Sequence, residues 1–315
     1  MSKDQDKIFK KKVEFLMNAE EELSKKVAIS ENKLVLRILE NLIDKLDIKD
    51  GIVESNSKNI KLTLTIDKII KDFNKTISFD LIKGYIKDIN KGSNSNKSFF
   101  GSFKESDGLD FDKITKKVNQ ETLKRLGIDS KGNVIKGGFI DEFSRNNQLN
   151  LKLKDLVTQG VTGRMSLVQL KKEIKGLVSG SSLRKGALNA EYNTFIYDTY
   201  SQIDRLQSNL YAQQLGLKAF RYAGGKIKTT RKFCCQRNNL VFTTDEAKKW
   251  SSISFSGKSS PYNPLIDLGG YNCRHFLQFM SNVRATNIRG DLRINDKRDL
   301  IKDSSGKKQT LNQGC

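Results

Sequence analysis

The chain has 315 residues, with 57 Lys and Arg against 36 Asp and Glu, a formal charge of +21 and a pI of about 9.7, so its whole surface attracts polyanions such as nucleic acid. At 37% hydrophobic and 30% charged residues it is too polar for one large compact globule and too apolar for wholesale disorder, and its length allows two domains or one domain with an arm. No run of about 18 apolar residues is present to cross a bilayer.

Met1 to Lys12 is charged throughout, which predicts no signal peptide. Four Cys in a chain of this length then predict a reducing cytoplasm without a disulfide framework. The lysines are spread over almost every predicted helix face, as AT-rich coding also produces. Non-specific contact with double-stranded DNA follows from such a charge. Sequence-specific readout does not, since neither a reading helix nor a zinc-finger spacing is visible.

Helical periodicity dominates the first half. Lys3 to Ile29 carries Phe9, Val13, Leu16, Leu23 and Val27 on one face, and a second helix is predicted after Ser30 with Val35, Ile38, Leu42 and Leu46. Thr65 opens a third, with Ile66, Ile69, Phe73 and Ile77 in a stripe that extends through Leu81, Tyr85 and Ile89 to a stop at Gly92. Such stripes pack within a bundle or dock into a partner's groove. Asn90 to Asp112, rich in Gly, Ser, Asn and Asp, reads as a linker, and a further helix ends at Leu126-Gly127.

Leu151 to Val157 is predicted as a short helix closed by Gly160. Ser166-Leu-Val-Gln169 reads as a capping box for a helix ending at Gly180. The longest predicted helix runs from about Ser182 to Gln214, with Leu188, Tyr192, Phe195, Thr199, Ile203, Leu206 and Leu210 on its apolar face. Beyond Gly216 the period changes. Lys218 to Tyr222 and Lys226 to Thr230 around Ala223-Gly-Gly225 predict a strand pair with a tight turn, and Leu240 to Phe242 a further strand. Thr243-Thr-Asp-Glu246 is a second capping box, placing Ala247 and Trp250 inward. Gly269 and Gly270 are free to take positive backbone angles. From Ser281 the chain reads as a basic extended tail ending in an exposed or paired Cys315.

Both prolines, the only Trp, the only His and three of the four Cys lie between Tyr222 and Phe276. In an extended segment Cys273 and His275 face one side. With Cys234 or Cys235 they make three zinc ligands, and Asp267 is a conceivable fourth. Against this stands the plainer reading of packed, hydrogen-bonded Cys and His, because the spacing fits no standard finger. Metal-assisted phosphodiester cleavage needs a general base beside the metal ligands, which a single histidine does not supply. A Cys273 nucleophile with His275 as base lacks an orienting third group. No catalytic residues are therefore assigned and the chain is not expected to be an enzyme.

The order of features from about residue 151 to 276 resembles the phage Mu F-like minor head proteins, also called head morphogenesis or MuF-domain proteins. The parts are the helix with Gly160 before the Ser166 helix, Asn189-Ala-Glu-Tyr-Asn193 in the long helix, Phe220-Arg-Tyr222, Thr230-Arg231 before Phe233-Cys234, and Cys273-Arg274. The family closes on Pro-His-Pro, one residue and Cys-Arg-Cys. Here Gly269-Gly-Tyr-Asn-Cys-Arg-His275 ends in His, and the prolines stand at Pro261 and Pro264. The resemblance implies a virion component at the portal vertex, contacting portal and other head proteins and packaged double-stranded DNA, present in the host cytoplasm during assembly.

These readings predict a mainly α chain with a small α+β C-terminal unit: a helical partner-facing arm over residues 1–110, a MuF-like domain over 111–281 and a tail over 282–315. The motif residues are Gly160, Arg231, Cys234, Cys235, Trp250, Gly269, Gly270, Cys273, Arg274 and His275. No cofactor is required, with zinc as the one candidate. The competing readings are a metal-dependent nuclease or processing enzyme centred on Cys273 and His275, and a DNA-binding accessory protein outside any virion.

Overall fold

The computed structural model describes residues 3–73, 79–138, 140–141, 148–180, 186–297 and 299–314. Ile77, Ser182, Cys315 and the side chains of Leu188, Tyr192 and Phe195 lie outside that description. Helices α1 (Lys3–Asn41), α2 (Ser57–Thr63), α3 (Thr65–Phe73), α4 (Phe79–Gly101), α5 (Phe111–Leu126), α6 (Gln148–Thr162), α7 (Leu167–Ser179) and α8 (Ala187–Gln214) account for nearly half of the chain. A two-strand ribbon of β1 (Ile48–Lys49) and β2 (Ile52–Val53) interrupts them. After α8 come β3 (Ala219–Ala223), α9 (Lys232–Arg237), β4 (Val241–Thr243), α10 (Thr244–Lys248), β5 (Phe276–Met280), α11 (Asn282–Ile288), β6 (Leu292–Ile294) and β7 (Leu300–Lys302). The architecture is thus mainly helical, with a long N-terminal helix and small sheets of two or three strands, the largest in the C-terminal region.

Two predicted breaks are absent. The chain does not restart at Ser30, because the hydroxyl turns back onto the Lys26 carbonyl at 2.8 Å and the helix runs through to Asn41. Nor is Asn90–Gly101 a linker: it is the second half of α4. Phe99 and Phe100 are fully buried there and Asn96 is buried among polar partners, so tertiary packing overrides a composition of poor helix formers.

The chain divides into two compact units, each assembled from separated stretches. One comprises residues 20–87 and 126–196. In it Val53 donates to Met165 O and Leu167 to Gly51 O, docking the ribbon at the start of α7. Ser166 caps that helix by accepting from the Gln169 amide. Gly160 does not close α6 but sits inside it, where a Cβ would stand 2.8 Å from Leu170. The missing side chain lets α6 and α7 approach closely.

The other unit comprises residues 1–19, 88–125 and 197–315. Lys12, 1% exposed, joins its three stretches. Its ammonium lies 2.9 Å from the Asp204 carboxylate and 3.1 Å from Asn96 Oδ1. Asn96 in turn donates to Asp204 and Gln207, and Gln207 to Thr122. A buried ion pair is tolerable only when its remaining donors and acceptors are satisfied in this way.

The sheet has order β4-β3-β5, antiparallel throughout. The partner of β3 is therefore β5, with Phe220 opposite Phe279, and the predicted local hairpin with residues 226–230 does not form. Phe220, Phe242, Tyr222 and Phe233 all meet Trp250 with ring centroids 5.2–6.2 Å apart. The Thr243 capping box is complete, with both reciprocal bonds present.

The predicted tail is folded. Helix α11 and the β6–β7 pair follow β5, and Gln309 exchanges two hydrogen bonds with Val241 along β4. Asn312 then reaches the backbone of residues 235, 236 and 238. Covering an open strand edge removes a site for unwanted pairing. Buried Arg289 anchors this stretch, forking onto Glu246 and Asp291.

Burial pushes the Glu246 carboxyl up, but hydrogen bonds from Arg289, Lys302 and the Thr243 amide outweigh it and bring the pKa from 4.5 to about 2. A carboxyl lowered on folding contributes stability above its unfolded pKa and loses it as pH falls toward the folded one. Glu246→Gln is therefore expected to cost about 1–3 kcal/mol at neutral pH and to flatten the loss of melting temperature between pH 4.5 and pH 2. An unchanged acid limb in a pH series of thermal melts would contradict this assignment.

Candidate metal centre

Three segments of the second unit bring sulfur and imidazole together. Strand β3 supplies Tyr222, α9 supplies Cys234, and the turn entering β5 supplies Cys273 and His275. The region near residue 230 that was expected to be a strand is a turn followed by a helix. Ile227 donates to Thr230 Oγ1 at 2.8 Å, Thr230 donates back to Ile227 O, and the Cys235 amide donates to Arg231 O as the helix begins. Side chains at successive helical positions diverge by about 100°. Cys234 accordingly points into the core while its neighbour points elsewhere: Cys234 and Cys273 are free thiols, whereas Cys235 is disulfide-bonded. This corrects the expectation of a chain without a covalent staple, and it removes Cys235 from the ligand set.

The turn carrying Cys273 is unusual in its backbone. Leu268, Gly270 and Asn272 have φ of 48°, 79° and 57°, a region that costs a branched or bulky residue free energy unless its surroundings impose it. Arg205 of α8, 1% exposed, does so. Its guanidinium donates to Ile266 O at 2.8 Å, to His275 O at 2.9 Å and to Cys273 O. The Asp267 carboxylate accepts from the Asn263 amide at 2.6 Å. It thereby shapes the turn and stands outside the cluster, so it is not the fourth ligand.

The two glycines act differently from each other. Gly270 has positive φ, and a Cβ there would strike the Gly257 carbonyl that accepts from the Tyr271 amide. Gly269 needs no such angle; a Cβ on it would overlap the Cys234 sulfur and lie 3.1 Å from that of Cys273.

The ligand-type atoms of Cys234, Cys273 and His275 all lie within 4.8 Å of one another. Sγ to Sγ is 3.9 Å, and Cys273 Sγ to His275 Nδ1 is 3.8 Å. Tetrahedral zinc with Zn–S of about 2.3 Å and Zn–N of about 2.0 Å has edges of about 3.8 Å between sulfurs and about 3.6 Å between sulfur and nitrogen. Both edges at Cys273 fit such an ion, and the third, between Cys234 and the imidazole, lies within 4.8 Å and would shorten on binding. The nitrogen facing Cys273 is Nδ1; the other, Nε2, is buried with no hydrogen-bond partner among the described residues, and an ion on Nδ1 would leave it so.

Of the two thiols Cys273 deprotonates first. The hydrogen bond from Cys234 lowers its pKa well below the usual thiol value, and Arg205 and His275 add to this against the opposing burial. The same pairing, with burial, holds the Cys234 proton on. The Tyr222 hydroxyl, kept neutral by burial, donates to Cys234 at 3.3 Å and stands 3.8 Å from Cys273. Such outer contacts orient ligands.

The remaining motif residues surround this cluster. Trp250 is buried against Tyr222 and Phe233. The Arg231 guanidinium packs on Gly257, where a Cβ would come within 2.6 Å of it. Arg274 is exposed. Arg205 and Tyr222 were not picked out as site residues from the sequence. The available signal was the polar run Asp204-Arg-Leu-Gln-Ser-Asn209, whose polar members are buried while Leu206 and Leu210 are only half-buried.

No protein-family model, no curated protein and no solved structure matches the chain.

Gly269→Ala is expected to lower stability by roughly 2–4 kcal/mol through overlap with the two sulfurs. Gly225→Ala, which meets nothing within 4 Å, is expected to change it by under about 1 kcal/mol. Urea midpoints compare the two directly, and equal midpoints would contradict the close passage at Gly269.

Proposed function

We propose that this chain is a non-enzymatic minor head protein of a tailed phage or prophage particle, with a C-terminal body closed by one structural zinc ion. The observation that carries the reading is the buried convergence of Cys234, Cys273 and His275, at 3%, 4% and 5% exposure, with two of the three spacings, 3.9 Å and 3.8 Å, close to tetrahedral edges. A structural zinc site is closed, whereas a catalytic one keeps a coordination position open to substrate. The depth of these side chains favours a clip over a nuclease centre, which would need an accessible water and a separate base.

The resemblance to Mu F-like proteins rests in part on Phe220-Arg-Tyr222, Phe233-Cys234 and Cys273-Arg274, and these lie around the cluster. The family's closing Cys is His275 here. For a zinc ligand that is an exchange of one good donor for another, so the departure from the family pattern is compatible with a conserved role. The apolar stripes of the N-terminal helices are buried within the chain itself, so contacts with portal and other head proteins would rest on exposed apolar side chains such as Met17, Ile29 and Leu36. The charge of +21 suits residence beside packaged DNA in the virion. None of the described helices is long and apolar enough to cross a membrane.

Purified full-length protein is expected to carry about one zinc per chain. His275→Ala and Cys273→Ser are each expected to reduce this several-fold, and chelation to lower the melting temperature by roughly 5–15 °C. Metal content at background in the unaltered protein would remove the zinc reading. Separately, quantitative mass spectrometry of purified particles is expected to find the chain at a few copies per virion, and its absence from particles would remove the head-protein reading.

A further inference from the structure

The charge of the chain is unevenly placed. From Arg205 to Gly290 there are fourteen Lys and Arg and three Asp and Glu. All three acids already have partners. Glu246 pairs with Arg289 and Lys302, Asp267 accepts from the Asn263 amide, and Asp245 pairs with Lys248. The surface around the metal centre therefore has little negative charge to neutralise its lysines internally.

Within it, Gly224-Gly-Lys-Ile-Lys-Thr-Thr-Arg-Lys232 places Lys226, Lys228, Arg231 and Lys232 in one loop without an acidic residue. Residues 225–229 and Lys232 are exposed, and Ile227 is 64% exposed. Both ends of this loop are tied to ligands of the cluster. At one end Gly224 lies flat on the His275 ring, where a Cβ would come 2.6 Å from Cδ2. At the other, Arg231 leads directly into the helix that carries Cys234. A single turn, closed by the paired hydrogen bonds of Ile227 and Thr230, spans the middle.

We infer that residues 224–232 form a metal-clipped loop that binds the phosphate backbone of duplex DNA, and that metal at Cys234, Cys273 and His275 holds the loop in its binding form. The inference rests on the zinc reading above. Three exposed lysines on a short loop without carboxylates or base-reading amides, beside an Arg231 held on Gly257, suit phosphate neutralisation, which gives affinity without sequence preference. Pinning the loop at both ends lowers the ordering cost of binding. Without the ion, α9 and the turn of His275 are joined, among the described residues, only through the weak contacts of Cys234 with Tyr222 and Cys273, and more of the ordering of the loop falls to the DNA.

The test uses the full chain with zinc bound and a random-sequence duplex of about 30 base pairs, with affinity measured across a salt series. Lys226→Ser/Lys228→Ser/Lys232→Ser is compared with Lys113→Ser/Lys116→Ser/Lys117→Ser, which removes the same charge from the exposed face of α5. The loop variant is expected to keep its zinc, lose about tenfold or more in affinity at 0.1 M salt, and reduce the salt slope by about 2–3. The α5 variant is expected to change affinity less than about threefold. Equal losses in both variants would overturn the loop as the contact. Equal binding to polyglutamate of matched length would overturn DNA as its partner.

The metal coupling is read separately, by removing zinc from the unaltered protein. Affinity is expected to fall toward that of the loop variant and to return on adding zinc back. Unchanged binding after verified zinc removal would overturn the coupling while leaving the zinc site intact. A protein that never carries zinc, yet binds DNA through the loop, would overturn the zinc reading and the coupling with it but not the loop contact.

Discussion

Two adjacent residues of α8 (Ala187–Gln214) organise the unit that holds the candidate site. Arg205 donates to three carbonyls of the segment that carries Cys273 and His275, while Asp204 binds Lys12 and Asn96. Burying a guanidinium costs several kcal/mol, and the charge is tolerable only because well-placed acceptors replace its water. Those acceptors are backbone carbonyls of a turn with three left-handed residues. The cation and the strained turn thus stabilise each other, and the position of both ligands follows from that exchange. Removing either partner would leave the other buried and unsatisfied.

The cluster is the consequence of bringing that turn against α9 (Lys232–Arg237). Gly269 passes so close to the two sulfurs that no larger residue fits, and Gly224 also passes close to the imidazole. Tyr222 and Trp250 shield the interior side. The result is a closed donor set of two sulfurs and one nitrogen beneath a basic exposed loop. A structural role for the ion, and electrostatic contact with a polyanion at the surface, follow from the same arrangement under the proposed reading.

Local signals in the sequence were legible where structure is local. The caps at Ser166 and Thr243, the apolar stripe of α1 and the shared side of Cys273 and His275 follow from spacing and side-chain chemistry, whereas Cys234 and Cys235 were equal candidates until α9 turned the first of them inward. Signals failed where a distant partner decides. Gly224-Gly225 suggests a hairpin between neighbours, yet β3 (Ala219–Ala223) pairs with β5 (Phe276–Met280), because matching Phe220 to Phe279 buries both rings. Asn90–Gly101 reads as linker until Asn96 and Phe99 find their buried partners on other helices. Arg205 carries only the weak signal of its polar run, since a lone arginine on a helix is far more often a solvated one. The apparent tail after Ser281 has weak periodicity because its anchors are polar: Arg289, Gln309 and Asn312 hold it through hydrogen bonds.

The central claim is that Cys234, Cys273 and His275 share one metal ion in the interior of this unit. X-ray absorption at the zinc edge, recorded on the full chain purified with its metal, tests it most directly. The account requires two sulfur scatterers at about 2.3 Å, with nitrogen or oxygen at about 2.0–2.1 Å completing four-coordination. A shell of light atoms alone, or a spectrum unchanged by Cys234→Ser and Cys273→Ser together, would contradict it.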